Sequence, residues 1–313
     1  MKIGIIGAGG VGSATAFALI MRGVARKITL IDQNQKRAQA EAEDIAHATP
    51  FAYANKIKVG NYADIKDAEV VIITAGINQK PQQTRNDLLA ANIKIFKQII
   101  PQIVLNSPQT IILIATNPVD IMTRVAIELS GFPKNRIFGS GTVLDTARFR
   151  TLLGYHLGVS PKSIHANVLG EHGDSEVIVW SNAFAGTIQI EQLAADINKP
   201  LTPEIKKNIE NDVRNAAYRI ISGKGSTTFG IAGALTRICQ AIGSNEYAIL
   251  NVSSYHNKIE NITDICTSMP CILGKRGIHG KLTPALSPQE HFLLSQSTQT
   301  IRSFTTQALK YLK

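Results

Sequence analysis

The chain has 313 residues, 44% of them apolar and 18% charged, which fits a folded protein with more than one core and excludes a disordered chain. Its net charge is +10, but no basic run exceeds two residues and no aromatics interleave with the charges, so a nucleic-acid surface is not indicated. Cys239, Cys266 and Cys271 show no zinc-like spacing and cannot all pair, as expected of thiols in a reducing compartment.

Lys2 to Ile6 reads as a short buried strand, followed at once by Gly7-Ala8-Gly9-Gly10-Val11-Gly12 and a small-residue helix from about Ser13 to Arg22. A second strand, Ile28 to Ile31, ends in Asp32, twenty residues after Gly12. Each part suits dinucleotide binding. Gly7 makes the tight turn, Gly9 lets a pyrophosphate approach backbone amides, and Gly12 allows close helix–strand packing. Asp32 would accept hydrogen bonds from the adenosine ribose and repel a 2′-phosphate, which selects NAD over NADP. Arg37 lies just beyond and is counted with the cofactor-side residues. The glycines also break the early apolar stretch, so it does not read as a secretory leader. No other segment reads as a membrane span, and the expected location is cytoplasmic.

Glu41 to Ala48 reads as helix, Lys56 to Val59 as strand, and Glu69 to Thr74 as an apolar strand running into Ala75-Gly76. The polar segment Ile77 to Asn86, with Gln79, Pro81 and Arg85, has the composition of a lid over a ligand at that strand end. A helix from Asp87 to Leu105, interrupted or kinked at Pro101, leads to the strand Ile111 to Ala115 and then Asn117-Pro118-Val119-Asp120. Alternating strands and helices predict right-handed crossovers and a parallel sheet.

In the second half, a helix starting near Asp145 would set Asp145 and Arg148 on one face, with Arg150 roughly 200° around from Arg148. His172 stands between glycines in Gly170-Glu171-His172-Gly173-Asp174, where an adjacent carboxylate could hold its ring and raise its pKa. An arginine fork, a histidine and an orienting aspartate make a site for a small acidic substrate. Strand-like pieces are read at Ser163–Leu169, Glu176–Trp180, Ala248–Ser253 and Cys271–Leu273. Helices are read at Thr202–Ser222, Lys224–Gly243 and Ser287–Tyr311. The fold class is α/β: a Rossmann-type parallel sheet over residues 1–140, then an α+β substrate domain over residues 141–313, laid against it. No metal site is expected.

With these residues in view, the chain resembles the L-lactate and malate dehydrogenase family over essentially its whole length. The landmarks are residues 7–12, Asp32, Asn117 to Asp120, Asp145 to Arg148 and Gly170 to Asp174. The resemblance implies an oxidoreductase in which His172 is the acid/base, Asp145 its partner, Arg148 the grip on the substrate carboxylate and Arg85 a carbonyl-polarising group carried by the lid. It also implies substrate contacts from Asn117 and Thr227, and a cofactor cleft lined by Val11, Tyr62, Gly76, Ala115, Asn117 and Ser140.

Gln79 stands where malate-specific relatives carry an arginine, so the lid resembles that of bacterial L-lactate enzymes and implies a 2-oxo acid with an uncharged tail. Gln82 and Gln83 depart from the common lid pattern, which bears on how the lid closes, and Thr228-Phe229 departs from the common pocket pattern, which leaves a branched 2-hydroxy acid open. Arg150 and His165 match positions that bind fructose 1,6-bisphosphate in many bacterial relatives, and the family implies a homotetramer. The competing readings are malate as substrate, an NAD-dependent glycosidase of similar architecture, and a non-catalytic NAD-binding protein.

Overall fold

The structure, a computed structural model, describes residues 1–53, 56–77 and 85–312, with the side chains of Arg85 and Asn86 left out. The parallel core comes from short, uniformly apolar segments. These are β1 (Lys2–Ile6), β2 (Lys27–Ile31), β3 (Lys56–Val59), β4 (Val70–Ile73), β5 (Ile111–Ile114) and β6 (Ile137–Gly139). They lie in the order β3-β2-β1-β4-β5-β6, so the chain reverses its direction of travel between β1 and β4. In open α/β sheets a ligand crevice opens at such a switch point, above the carboxyl ends of the strands.

Helices α1 (Gly10–Met21) and α2 (Gln35–His47) cover one face of this sheet, and α3 (Arg85–Asn106) and α4 (Val119–Ser130) the other. Asn34 caps α2 by accepting the Arg37 amide at 3.1 Å. By length and composition Asp87–Asn106 could cross a membrane. Here its Leu89, Ile93, Phe96, Ile100 and Ile103 instead pack with Val71, Ile73 and Ile114 of the sheet. Helix α3 runs through Pro101 without the interruption that was one of the two expectations there. Pro101 and Lys97, whose carbonyl loses its helical donor, are both on the exposed side of the helix, so the lost bond falls on the solvent side.

The second half holds α5 (Val143–Leu157), β7 (Ile164–Leu169), β8 (Val177–Ala185), β9 (Ile188–Gln189), α6 (Ile190–Asp196), α7 (Pro203–Lys224) and α8 (Phe229–Gly243). It closes with β10 (Ala248–Ile259), β11 (Ile262–Gly274), β12 (Gly277–Lys281) and α9 (Pro288–Lys310). Strands β7 to β9 form a separate antiparallel sheet. Strands β10 to β12 are more than a lobe laid against the first sheet. They extend it past β6 through the Ser253–Gly139 pairing, giving nine strands among the described residues. Both long strands of this hairpin exceed the pieces read from sequence, and β12 has no counterpart there. The glycine-interrupted helix read over Lys224–Gly243 is instead the end of α7, a turn with Gly225 at φ +84°, and α8. Helix α8 packs Leu235, Ile238 and Ile242 against Ala16, Leu19 and Ile20 of α1, so the two halves share a core.

Candidate active site

The glycine loop connects β1 to α1. Gly7 has φ +111°, and a Cβ there would sit 2.6 Å from the Ala75 amide nitrogen. At Gly12 a Cβ would lie 1.9 Å from the Gly7 carbonyl oxygen, so only glycine lets α1 come this close to the loop. Gly9 is the opposite case. A Cβ there meets nothing within 4 Å, so open space adjoins the first turn of α1, whose amides and positive dipole end favour phosphate. Asp32 ends β2 beside this loop and accepts the Ala8 amide at 2.7 Å and the Asn34 amide at 2.8 Å. Residues and space fit a dinucleotide here.

The floor of the crevice is made by the ends of β4 and β5. Buried Asn92 of α3 accepts the Ile77 amide at 2.9 Å and donates to the Asn117 carbonyl at 2.9 Å, tying Gly76 and Asn117 into one rim. Thr116 adds a 2.7 Å bond to the Ala75 carbonyl. Asn117 is exposed, Ala115 half-buried and Ser140 buried at the end of β6. Tyr62 opens a 3-10 turn after β3 and is half-buried against the α3 side of the core. Arg37 is exposed on α2, with its guanidinium 3.8 Å from Glu41. Nothing in the described contacts brings Tyr62 or Arg37 to the glycine loop.

Asp145, Arg148 and His172 come together, the first two at the i,i+3 spacing expected of one helix face. Asp145, in the first turn of α5, is 1% exposed and uses its two oxygens separately. Oδ1 accepts Arg148 Nη1 at 2.7 Å, and Oδ2 faces His172 Nδ1 at 2.6 Å. Nδ1 is thereby occupied, and Nε2 is the ring nitrogen left to meet a substrate. Arg148 spends one nitrogen on Asp145, which leaves donors of its fork for a carboxylate.

Three further contacts hold the loop between β7 and β8 that carries His172. Gly170 bridges Ser268 of β11, the Glu171 amide donates to Ser297 Oγ of α9 at 2.8 Å, and the His172 amide donates to Asp120 Oδ2 of α4 at 2.9 Å.

Charge and burial set the protonation states. The Asp145 carboxylate pushes the His172 pKa up to about 9, outweighing burial, with Asp120 and Glu176 adding to the rise. Burial opposes the charge of Asp145, but His172 and Arg148 overcome it and hold that carboxyl below its usual value. Glu176 sits in the same loop, 5% exposed, and burial with the Asp145 charge pushes it up to about 8. Sequence reasoning gave no role to Glu176, Asp120 or Asn92. Asn92 and Asp120 act on backbone groups far along the chain, and such pairings leave no local pattern.

The loop after α7 reaches the same crevice. A Cβ at Gly10 would lie 2.9 Å from Thr228 Cγ2, and one at Gly230 would lie 3.0 Å from Leu144. Thr227 directly precedes Thr228, the residue that meets the glycine loop. Arg150 points the other way, as expected, and donates from Nε and Nη2 to the Ala166 carbonyl at 3.1 and 3.0 Å, next to exposed His165. Gln79 lies outside the described residues. Arg85 contributes only its backbone, at the first position of α3, and its side chain lies outside them too.

The site thus combines a doubly wound sheet, a glycine loop suited to phosphate and an Asp–His–Arg cluster. Residues 1–139 match the model of the lactate/malate dehydrogenase NAD-binding domain, and residues 142–311 that of the lactate/malate dehydrogenase α/β C-terminal domain. The chain belongs to the lactate/malate dehydrogenase family. It is 48% identical to the L-lactate dehydrogenase of Thermus aquaticus and 48% identical to that of Allorhizobium ampelinum, each over 96% of this chain and 97% of the relative. Among solved structures it is similar to the minor L-lactate dehydrogenase of Enterococcus mundtii in ligand-bound form, with a TM-score of 0.94, 39% identity and 98% of both chains covered. A lactate dehydrogenase from a Medee basin deep-sea metagenome library gives a TM-score of 0.95 at 37% identity over 99% of both chains.

Proposed function

We propose that the chain catalyses the reversible NADH-dependent reduction of pyruvate to L-lactate. The observation that carries this reading is Asp145 joining His172 and Arg148 through separate oxygens, which sets a proton donor and a carboxylate-binding fork side by side. NAD, held along Gly7, Gly9, Gly12 and Asp32, supplies two-electron hydride chemistry. Arg148 takes the substrate carboxylate and fixes its orientation. His172, protonated at neutral pH, donates from Nε2 to the carbonyl oxygen during reduction and takes the proton back in the reverse direction. Asp145 keeps the imidazolium stable and its tautomer fixed. Asn117 and Thr227 bound the remaining sides of the substrate, and Arg85 polarises the carbonyl once water is excluded.

Gln79 sets the substrate class, because a second carboxylate would find no countercharge at its position in a closed site. NADH consumption with a panel of 2-oxo acids tests the proposal: pyruvate is preferred over oxaloacetate, and Gln79→Arg reverses the order. An unchanged preference would refute the assignment of Gln79. His172→Ala removes turnover while NADH still binds.

We further propose a cytoplasmic homotetramer serving fermentation after glycolysis, with Arg150 and His165 forming a cationic site for fructose 1,6-bisphosphate. What supports the effector reading is that Arg150 donates to the carbonyl of Ala166, the residue that follows exposed His165 on β7. Activation by the bisphosphate that is absent in Arg150→Gln would bear it out; a parent enzyme indifferent to the bisphosphate would refute it.

A further inference from the structure

We propose that the amino-terminal rim of the parallel sheet binds a short chain of condensed phosphates through a row of lysines, Lys2, Lys27 and Lys56.

Each of these lysines is the first residue of its strand. Strands β1, β2 and β3 run parallel, with Lys2 level with Lys27 and Lys27 level with Lys56. Residues level with one another in a parallel sheet point to the same face, and neighbouring strands lie about 4.8 Å apart. Three ammonium groups therefore issue side by side from one rung. Lys58, two residues along β3, returns to the face of Lys56. The glycine loop leaves the other end of β1, so this row is separate from the nucleotide crevice.

Such a row costs stability, because like charges directly opposite one another repel. Protection of an open sheet edge accounts for lysines on β3, the outermost strand. It does not account for Lys2 and Lys27, because β1 and β2 have neighbours on both sides. Burial lowers the Lys2 pKa, and the charges of Lys27 and Lys58 lower it further, against the opposing pull of Asp67 and Asp64.

The nearby carboxylates are already engaged. Asp64 pairs with Lys58, while Glu69 accepts the Lys2 backbone amide at 2.8 Å and lies 3.9 Å from the terminal ammonium of Met1. Lys2 Nζ donates to the Lys66 carbonyl. Lys27 and Lys56 are exposed and, among the described residues, have no carboxylate partner.

A cavity of about 420 Å³ adjoins the row, lined by Lys27, Lys56 and Lys58 together with Ala46, Thr49 and Ile57. That volume is within the range of small-molecule sites. The lysine spacing calls for several negative charges in sequence. A lone carboxylate would engage one lysine and leave its neighbours repelling, whereas linked phosphates answer adjacent lysines in turn. Free tripolyphosphate and the tail of a nucleoside triphosphate share this chemistry, and the walls formed by Ala46 and Ile57 add contact only for the second.

Calorimetry at low salt tests the site, with the enzyme saturated with NADH so that the nucleotide crevice is filled. Tripolyphosphate binds the parent, and its affinity falls as sodium chloride is added. The double variant Lys27→Gln/Lys56→Gln binds it about tenfold more weakly. Lys207→Gln/Lys258→Gln, which removes the same charge elsewhere, and Arg150→Gln both stay within about twofold of the parent. Without ligand, Lys27→Gln/Lys56→Gln melts at or above the parent temperature because repulsion is relieved, so its weak binding is not a failure to fold. ATP in place of tripolyphosphate separates the two sources. Tighter binding of ATP assigns a nucleoside triphosphate, and equal or weaker binding assigns the phosphate chain alone. No binding to the parent, unchanged affinity in Lys27→Gln/Lys56→Gln, or an equal loss in Lys207→Gln/Lys258→Gln would overturn the proposal. So would a loss confined to Arg150→Gln, which would place the anion at the Arg150 face instead.

Discussion

Asp145→Asn tests the electrostatic design of the site most directly. In the parent, His172 is pushed up to about 9, with Asp145 as the largest cause. At pH 7.5 the ring is then protonated in a ratio of roughly 30:1. Asparagine keeps the shape and can still accept from Nδ1–H, but it removes the charge. Burial continues to oppose protonation, so the ring falls to its ordinary value of 6.5 or lower. At pH 7.5 no more than about one molecule in ten then carries the proton.

Pyruvate reduction draws on the protonated form, so kcat/KM at that pH falls about tenfold from protonation alone. The deficit widens with pH until the parent itself begins to lose its proton near 9 and narrows at pH 6. The assay is NADH absorbance at subsaturating pyruvate from pH 5.5 to 10, with NADH binding measured by fluorescence as the control. An alkaline limb at the same pH in both enzymes would refute the reasoning, because Asp145 would then orient the ring without setting its charge.

Two glycine substitutions should separate packing from ligand binding. Gly12→Ala drives a methyl into the Gly7 carbonyl at 1.9 Å and should lower the thermal midpoint by several degrees. Gly9→Ala, into open space, should melt like the parent yet bind NADH at least tenfold more weakly in a fluorescence titration. Arg148→Lys keeps a positive charge but loses the fork. The KM for pyruvate should rise about a hundredfold, as expected for about 3 kcal/mol of charge-assisted hydrogen bonding, with NADH affinity unchanged. Glu176 has its pKa raised to about 8 from 4.5, so the native state loses stability as pH climbs through that window. Glu176→Gln should match the parent in a thermal scan at pH 4.5 and melt higher at pH 8.

The first half was largely legible because its signals are local. Apolar tetrapeptides such as Val70–Ile73 and Ile111–Ile114 can scarcely be anything but buried strands, and the glycine loop is written in six consecutive residues even though Gly7 also packs on distant Ala75. The β10–β11 hairpin was only half legible because it buries polar side chains. Asn251, Ser253, Ser254, His256, Thr267 and Ser268 all lie inside it, and in sequence they resemble a loop. Structure supplies the reason they can be there: Asn251 donates to Thr146 Oγ1 at 2.9 Å and to the Val168 carbonyl at 3.2 Å, and so stitches the hairpin to α5 and β7. Residue chemistry called for a carboxylate at the His172 ring, and the family resemblance implied that it is Asp145. The anchoring of the same histidine by Asp120 was not legible, since any residue except proline offers a backbone amide.

Binding of a substrate mimic carries the argument beyond turnover. Oxamate presents a carboxylate to Arg148 and a carbonyl oxygen that must accept a hydrogen bond from His172. The neutral ring has a single N–H. With Asp145 accepting at Nδ1, that hydrogen stays on Nδ1, and Nε2 becomes a lone pair pointing at the oxamate oxygen. Deprotonation therefore exchanges an attraction for a repulsion at the same atom. Oxamate should bind the NADH-bound enzyme with constant affinity from pH 6 to about 8, then roughly tenfold more weakly per pH unit above the His172 pKa, with one proton taken up on binding there. Burial lowers the pKa of Lys2 and Lys281, which also titrate at alkaline pH, so His172→Gln is the necessary control. Its amide can donate at any pH, and its weaker oxamate binding should be flat over the range. Equal slopes in the two enzymes would place the titrating group elsewhere, and His172 would then not be the donor.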